Sequence, residues 1–235
     1  MSYTGDVAPG GPSALRALDE LDLRKASVGP HDNNAYLVTC RRSGEQLLVD
    51  AAADPDRLLA LVREGHPAAG LGLIVTTHRH ADHTGALASL VAVTGATVAA
   101  GADDADAIAG TIDRPVTLRL RDGDTLTVGH VVLEVIALRG HTPGSVALVY
   151  REPEHTTAPD AVPGRAHVFT GDSLFPGGVG NTEHDPVRFA GLFADVTTRI
   201  FDRFGDDTWV YPGHGKDTTL GAERPHLPQW RERGW

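Results

Sequence analysis

The stretch His78-x-His80-x-Asp82-His83 gathers three imidazoles and a carboxylate into six residues, directly after the apolar run Leu71-Gly-Leu-Ile-Val-Thr-Thr77. Neutral imidazole and carboxylate are ligands that zinc, iron(II) and manganese accept. In an extended segment side chains alternate with a period of two, so His78, His80 and Asp82 are expected to share one direction. His83 is expected to point differently, as the chain turns into a helix. One short loop could then supply two ligands to one ion and two to a neighbour. Four ligands do not complete two sites, so partners are sought in loops that follow strands. Three candidates sit there beside glycines: His141 in Arg139-Gly-His-Thr-Pro-Gly144, Asp172 in Thr170-Gly-Asp-Ser-Leu-Phe175 and His214 in Pro212-Gly-His-Gly215. Glycine serves where the backbone must approach closely or adopt dihedrals that other residues avoid. The chain has no Gly-x-Ser-x-Gly elbow, and a metal-activated water needs none.

The elements that must position these residues are short. Strands are expected at Ala35–Cys40, Gln46–Asp50, Leu71–Thr77, Ala96–Ala100, Ser145–Tyr150, Ala166–Thr170 and Thr208–Tyr211, with a β-meander over Val116–Leu120, Thr125–Val128 and Val131–Leu138 turning at Arg121-Asp-Gly-Asp124. Helices are expected over Asp56–Glu64, with Asp54 as N-cap before Pro55, over Thr84–Thr94 with Gly95 closing it, and over Pro186–Phe204. Residues 1–18 read as a loose tail, and residues 19–235 as one α/β sandwich domain in which strands and helices interleave.

At this point the sequence resembles a known family. The order His78-x-His80-x-Asp82-His83, His141, Asp172, His214 is similar to that of the metallo-β-lactamase superfamily of binuclear metallohydrolases. Gly140-His-Thr-Pro-Gly-Ser145, Thr170-Gly-Asp-Ser-Leu-Phe175 and Tyr211-Pro-Gly-His-Gly215 look most like its glyoxalase II (hydroxyacylglutathione hydrolase) branch, and Thr218-Thr-Leu-Gly-Ala-Glu-Arg224 is similar to the ending of single-domain members. The resemblance implies a four-layer αββα sandwich, two mixed sheets face to face with helices outside. It implies that His78, His80 and His141 bind one ion, that Asp82, His83 and His214 bind a second, and that Asp172 bridges both. The two divalent ions are expected to be zinc, with iron or manganese as alternatives. Asp50 matches an early motif aspartate of the family and reads either as a group orienting a ligand or as a strand-end turn residue.

The implied activity is hydrolysis of a thioester or related activated ester by a metal-bridging hydroxide, with Asp82 as both ligand and proton acceptor. Lactones fall within the same chemistry. Glutathione thioesterases of the family carry a helical extension after the last metal histidine, whereas 21 residues follow His214 here, so the expectation stops short of the glutathione carrier. β-Lactamases of the family lack the bridging aspartate, and antibiotic hydrolysis is not expected. Gly177-Gly-Val-Gly-Asn-Thr182 differs from the Gly-Arg-Thr/Ser-Asp stretch of persulfide dioxygenases, which leaves a mononuclear iron dioxygenase as the alternative. A non-catalytic metal-binding module would be expected to have lost a ligand, and none of the seven is missing.

The formal net charge of −10 argues against nucleic acid or an anionic membrane as partner; a small-molecule substrate is expected. No apolar run approaches the ~18 residues of a membrane span, the first residues do not read as a signal peptide, and the lone Cys40 cannot form an internal disulfide. A cytoplasmic location is therefore expected. Of the lesser features, His31 reads as a plain loop residue with a substrate-edge role as the alternative. Lys216 and Arg224 read as solvated charges that could instead meet an anionic substrate. Tyr36, Phe175 and Trp209 read as core.

Overall fold

The computed structural model describes residues 3–234. Seven strands form the first sheet: β1 (Ala14–Ala17), β2 (Leu21–Val28), β3 (Asn33–Cys40), β4 (Gln46–Val49), β5 (Leu71–Thr76), β6 (Thr97–Gly101) and β7 (Leu118–Leu120), in that spatial order. Its first four strands are antiparallel, and β4 to β7 are parallel. The parallel half is made by crossovers through α1 (Pro55–Gly65), through α2 (Ala81–Thr84) with α3 (Leu87–Thr94), and through α4 (Ala105–Ile112). The second sheet uses β8 (Thr125–Val128), β9 (Val131–Ala137), β10 (Val146–Arg151) and β11 (Ala166–Gly171). A small ribbon of β12 (Leu174–Phe175) and β13 (Gly178–Val179) follows, then α5 (Pro186–Val196). β14 (Trp209–Pro212) and β15 (Thr218–Thr219) return to the second sheet, and α6 (Leu220–Glu223) and α7 (Leu227–Arg233) close the described chain. The order is β15-β14-β11-β10-β9-β8, antiparallel except for β11 beside β14.

Strand periodicity shows how four layers arise. In β3, Leu37 packs under α1 and α3 while its neighbour Val38 faces the second sheet; Leu48 and Val49, Ile74 and Val75, and Val98 and Ala99 divide the same way. In the second sheet Leu148 and Phe169 face the first sheet, while Val149 and Val168 pack on Leu192, Phe193 and Val196 of α5. Successive side chains of a strand point to opposite faces, so strands covered on both faces read as near-continuous apolar runs. The result is two mixed sheets face to face with helices outside, as expected.

Several local expectations are corrected. The meander over 116–138 is split: β7 pairs with β6 in the first sheet, β8 pairs with β9 in the second, and the Arg121–Asp124 turn crosses between them. The loose tail is ordered in part, since β1 lines the edge of the first sheet and Tyr3 is buried against Trp209, its hydroxyl bonded to Asp217 Oδ2 at 2.9 Å; Met1 and Ser2 lie outside the described residues. Asp54 does not cap α1 with its side chain, which instead accepts from Gly29 N. The helix expected over 186–204 stays α-helical to Val196 and continues as a π-helical turn over Thr197–Phe201. The helix expected from Thr84 begins at Ala81 and breaks between α2 and α3. None of the described helices is long and apolar enough to cross a membrane.

Both sheets end at one edge. The loops after β4, β5, β9, β11 and β14 all open there, and backbone bonds join them: Val146 N to Thr77 O at 2.9 Å, Gly213 N to Gly171 O at 2.9 Å and Asn34 N to Gly213 O at 2.8 Å.

Candidate metal centre

All seven residues singled out in the sequence converge at this edge. Three groups have their ligand atoms within 4.8 Å of one another: His78, His80 and His141; His78, His83 and Asp172; Asp82, His83 and His214. The extended segment ends at His80, because α2 begins at Ala81. The alternation that would align Asp82 with His78 and His80 therefore stops one residue early, and the helical turn swings Asp82 to the side of His83 and His214. Asp172 lies between the groups. Its Oδ1 is 3.3 Å from His83 Nε2, and its Oδ2 is 3.3 Å from His214 Nε2 and 3.6 Å from His141 Nε2. Asp82 Oδ2 lies 3.3 Å from His214 Nε2 and 3.7 Å from His83 Nε2. The inward nitrogens face one another, with His78 Nε2 3.3 Å from His141 Nε2 and His83 Nε2 3.2 Å from His214 Nε2.

The outward nitrogens fix what those inward atoms can do. His83 Nδ1 meets Asp50 Oδ2 at 2.9 Å, His141 Nδ1 meets the Asn181 carbonyl at 2.7 Å, and His214 Nδ1 meets the His31 carbonyl at 2.8 Å. Carboxylates and carbonyls only accept, so each of these rings donates from Nδ1. In the neutral ring the lone pair then sits on Nε2 and points inward. Asp172 Oδ1 is buried and has no hydrogen-bond partner, although a buried acceptor left so costs roughly 1–3 kcal/mol. With the rings neutral, inward lone pairs at 3.2–3.3 Å beside the Asp172 carboxylate are the arrangement a cation satisfies, and this donor set fits two divalent ions. Gly213 shows how tightly the chain closes here, since a Cβ on it would fall 2.1 Å from Asp172 Oδ1.

The electrostatics divide the cluster. Burial, aided by the charge on His83, pushes His78 well below the ordinary imidazole range, and burial also lowers His141. On the other side burial opposes the charge on His83, but Asp50 and Asp172 outweigh it and raise the ring to about 10. His214 is raised against the pull of burial by its contact with Asp172. Burial would raise Asp172, yet contacts with His214 and His83 hold it far below the usual carboxylate range. Asp82 is lowered against burial by His83 and by the Asn33 amide, whose Nδ2 donates to its Oδ2 at 3.1 Å.

Asp50 resolves its two readings by combining them. It turns the chain at the end of β4 with φ +58°, and its carboxylate accepts from Thr77 N and Thr77 Oγ1 as well as from His83. Sequence reasoning missed Asn33 and the carbonyls of Asn181 and His31, because a backbone acceptor leaves no mark in residue type. His31 enters through that carbonyl. Arg224 bonds Asp206 and the carbonyls of Phe201 and Phe204, a structural tie rather than a solvated charge or a substrate contact; Lys216 is exposed. Tyr36 and Trp209 pack in the core. Phe175 does not: its ring lies 6.3 Å from that of His214, and it lines a cavity of about 460 Å³ with Pro176, Val179, Asn181 and His184. A second cavity, about 390 Å³, is lined by Arg79, His80, His141, Thr142, Glu183 and Arg188.

Comparison with known proteins bears on this geometry. A family model described as "Metallo-beta-lactamase superfamily" matches residues 28–222. A hydroxyacylglutathione hydrolase of Polaromonas sp. (strain JS666 / ATCC BAA-500) is 36% identical over 184 residues, 77% of this chain and 62% of that protein. Another, from Anaeromyxobacter dehalogenans (strain 2CP-C), is 35% identical over 189 residues, 78% of this chain and 61% of that protein. The chain thus spans about three-fifths of the length of these relatives. Among solved structures, ETHE1 from Myxococcus xanthus superposes with a TM-score of 0.71 at 28% identity, over 89% of this chain and 84% of that one. TTHA1623 in a di-iron-bound form gives a TM-score of 0.62 at 32% identity, over 84% of this chain and 95% of that one.

Proposed function

Since the chain belongs to the metallo-beta-lactamase superfamily, we propose that it is a binuclear metal-dependent hydrolase of a small thioester or related activated ester. The observation that carries this is Asp172, whose two oxygens reach both sides of a cluster of inward-facing imidazole nitrogens. His78, His80 and His141 would hold one ion and Asp82, His83 and His214 the other, with Asp172 shared. Zinc is the first candidate for an imidazole and carboxylate set, and iron and manganese accept the same donors. The di-iron-bound relative supports two ions in such a fold, and the names of the curated relatives support the thioester class.

When bound, the ions would supply Lewis acidity towards the substrate carbonyl and acidify the attacking water. The chain's own residues do the rest. Asp50, and the carbonyls of Asn181 and His31, hold the imidazoles in the ligating tautomer. Asn33 fixes Asp82 through Oδ2. Asp82 is held below its ordinary value and is ionised at neutral pH, so its carboxylate can take the proton that the water loses as its oxygen bonds to the carbonyl carbon. When the carbon–sulfur bond breaks, the same proton can pass to the departing thiolate. The products are a carboxylic acid and a thiol, and no serine or cysteine nucleophile is required.

The alternative is a mononuclear iron dioxygenase, which needs only His78, His80 and His141. Element analysis of protein purified without chelator, with assays on thioesters and lactones, separates the two. Two ions per chain and thioester turnover are expected. One iron per chain, oxygen uptake with a persulfide and no thioester turnover would overturn the hydrolase.

A further inference from the structure

Asp104 belongs to none of the three ligand groups, yet its carboxylate holds two of the ligand loops together. It follows β6 and immediately precedes α4, the position where an aspartate ordinarily accepts from the first N–H groups of its own helix. It makes no such bond to α4. The side chain, fully buried, reaches the other way. Oδ2 accepts from the backbone N of Arg79 at 3.1 Å and from Thr142 Oγ1 at 2.5 Å, while Oδ1 accepts from Gly144 N at 3.0 Å. The Arg79 guanidinium lies 3.8 Å from Oδ1.

The donors are placed with respect to the ligands. Arg79 stands between His78 and His80, on the loop after β5. Thr142 and Gly144 follow His141, on the loop between β9 and β10. The first loop comes from the first sheet and the second from the other, so one carboxylate spans the seam between sheets at the group His78, His80 and His141. The glycines make the approach possible: a Cβ on Gly144 would fall 2.3 Å from Asp104 N, and one on Gly101 1.9 Å from Gly144 O. The neighbouring bond from Val146 N to Thr77 O also joins the sheets, but it lies on the strand side of the ligands and leaves the tips of the loops to Asp104.

We propose that Asp104 is a positioning residue for the His78–His80–His141 group: it sets the spacing between the two ligand loops, and through that spacing the affinity of the group for its ion. This rests on the reading that the cluster holds ions. Asp104 touches neither ion nor substrate. A positioning effect is local, because Asp82, His83 and His214 are oriented by Asn33, Asp50 and the His31 carbonyl instead.

The test is a zinc titration against a competing chromophoric chelator for the wild type, Asp104→Asn and Asp104→Ala. Anomalous diffraction locates the ion that remains, and melting of the metal-free proteins reports the fold. Loss of a group that orients metal ligands typically weakens metal affinity by about 10- to 100-fold. That loss is expected at His78–His80–His141, with the midpoint of the other site unchanged. Asp104→Asn should fall short of Asp104→Ala, since the amide keeps one acceptor but turns an N–H towards Arg79 N or Gly144 N. If Asp104→Ala does not fold, Thr142→Val removes one arm of the tie, and the same site should weaken to a smaller degree. Unchanged affinity at both sites would overturn the proposal. So would equal weakening of both sites in step with a lower melting point of the metal-free variant. Wild-type protein that takes up no zinc would overturn the metal reading itself, and this role with it.

Discussion

A proton and a divalent ion would compete for the same residues in this cluster. His83 binds its proton up to about pH 10 in the folded, metal-free protein, against ~6.5 in an unfolded chain. That proton adds stability fully below about pH 6.5, and the gain disappears as the pH rises through about 10. An ion entering beside Asp82, His83 and His214 must expel it, whereas burial leaves His78 and His141 with depressed proton affinity. Loading should therefore be stepwise. At pH 6 the His78 side takes up its ion first, and the apparent affinity of the His83 side rises about tenfold per pH unit towards pH 10. Zinc binding followed by calorimetry in buffers of different ionisation enthalpy would count the released protons; two sites with the same pH dependence would contradict this. Asp172 is the other residue with a decisive role. Asp172→Ala removes a ligand from both groups, so ion content and turnover should fall together, turnover by at least about 100-fold. Full ion content and normal turnover in that variant would remove the bridging assignment.

At the scale of elements, the strand-to-loop junctions were the legible part. An apolar run ending in a polar residue flanked by glycine predicts a strand whose C-terminal loop carries a site, and β9, β11 and β14 end that way, while β5 runs straight into the histidine cluster. The elements missed were of low contrast. α4 buries Ala105, Ile108 and Ile112, but alanine, glycine and aspartate between them blur the helical period, and Asp104 was hidden with it. The split meander failed because period-two alternation says which residues share a face but not which sheet a strand joins. Other ties are legible only in space. Lys25 of β2 is fully buried and donates from Nζ to the Gly215 carbonyl and to Asp217 Oδ1, both at 2.7 Å, just beyond His214. Tyr3 and Trp209 donate to the other oxygen of Asp217. Removing one partner of a buried ion pair costs roughly 3–5 kcal/mol, so Lys25→Met should lower the urea midpoint and loosen the loop that carries His214. Lys25→Met with Asp217→Leu should recover part of that loss; a single variant as stable as wild type would show that the pair contributes nothing.

For the whole molecule, the cluster lies where two sheets meet and draws on both. His78, His80, Asp82 and His83 hang from the first sheet, and His141, Asp172 and His214 from the second. Between the sheets the contact is apolar along most of its length; at this edge it passes to a few hydrogen bonds across the seam and to the facing imidazoles and Asp172. Ions shared across the seam would therefore act as a clasp between the sheets, as well as supplying chemistry. Binding to the folded chain alone stabilises it by RT ln(1 + [L]/Kd), about 2.7 kcal/mol for a single site at a hundredfold excess of free ion over Kd. In a domain of this size each kcal/mol moves the melting temperature by about 2–4 °C, so chelation should lower it by about 5–11 °C for one ion and by more for two. Hydrogen exchange should locate the loss. Amides of residues 77–83, 139–145 and 212–216 are expected to lose protection on chelation, while β3 and β4 in the middle of the first sheet stay as they were. A melting temperature indifferent to chelator, in protein shown to have held two ions, would mean that the apolar faces and the hydrogen bonds across the seam join the sheets without the ions and that the cluster carries no share of the fold's stability.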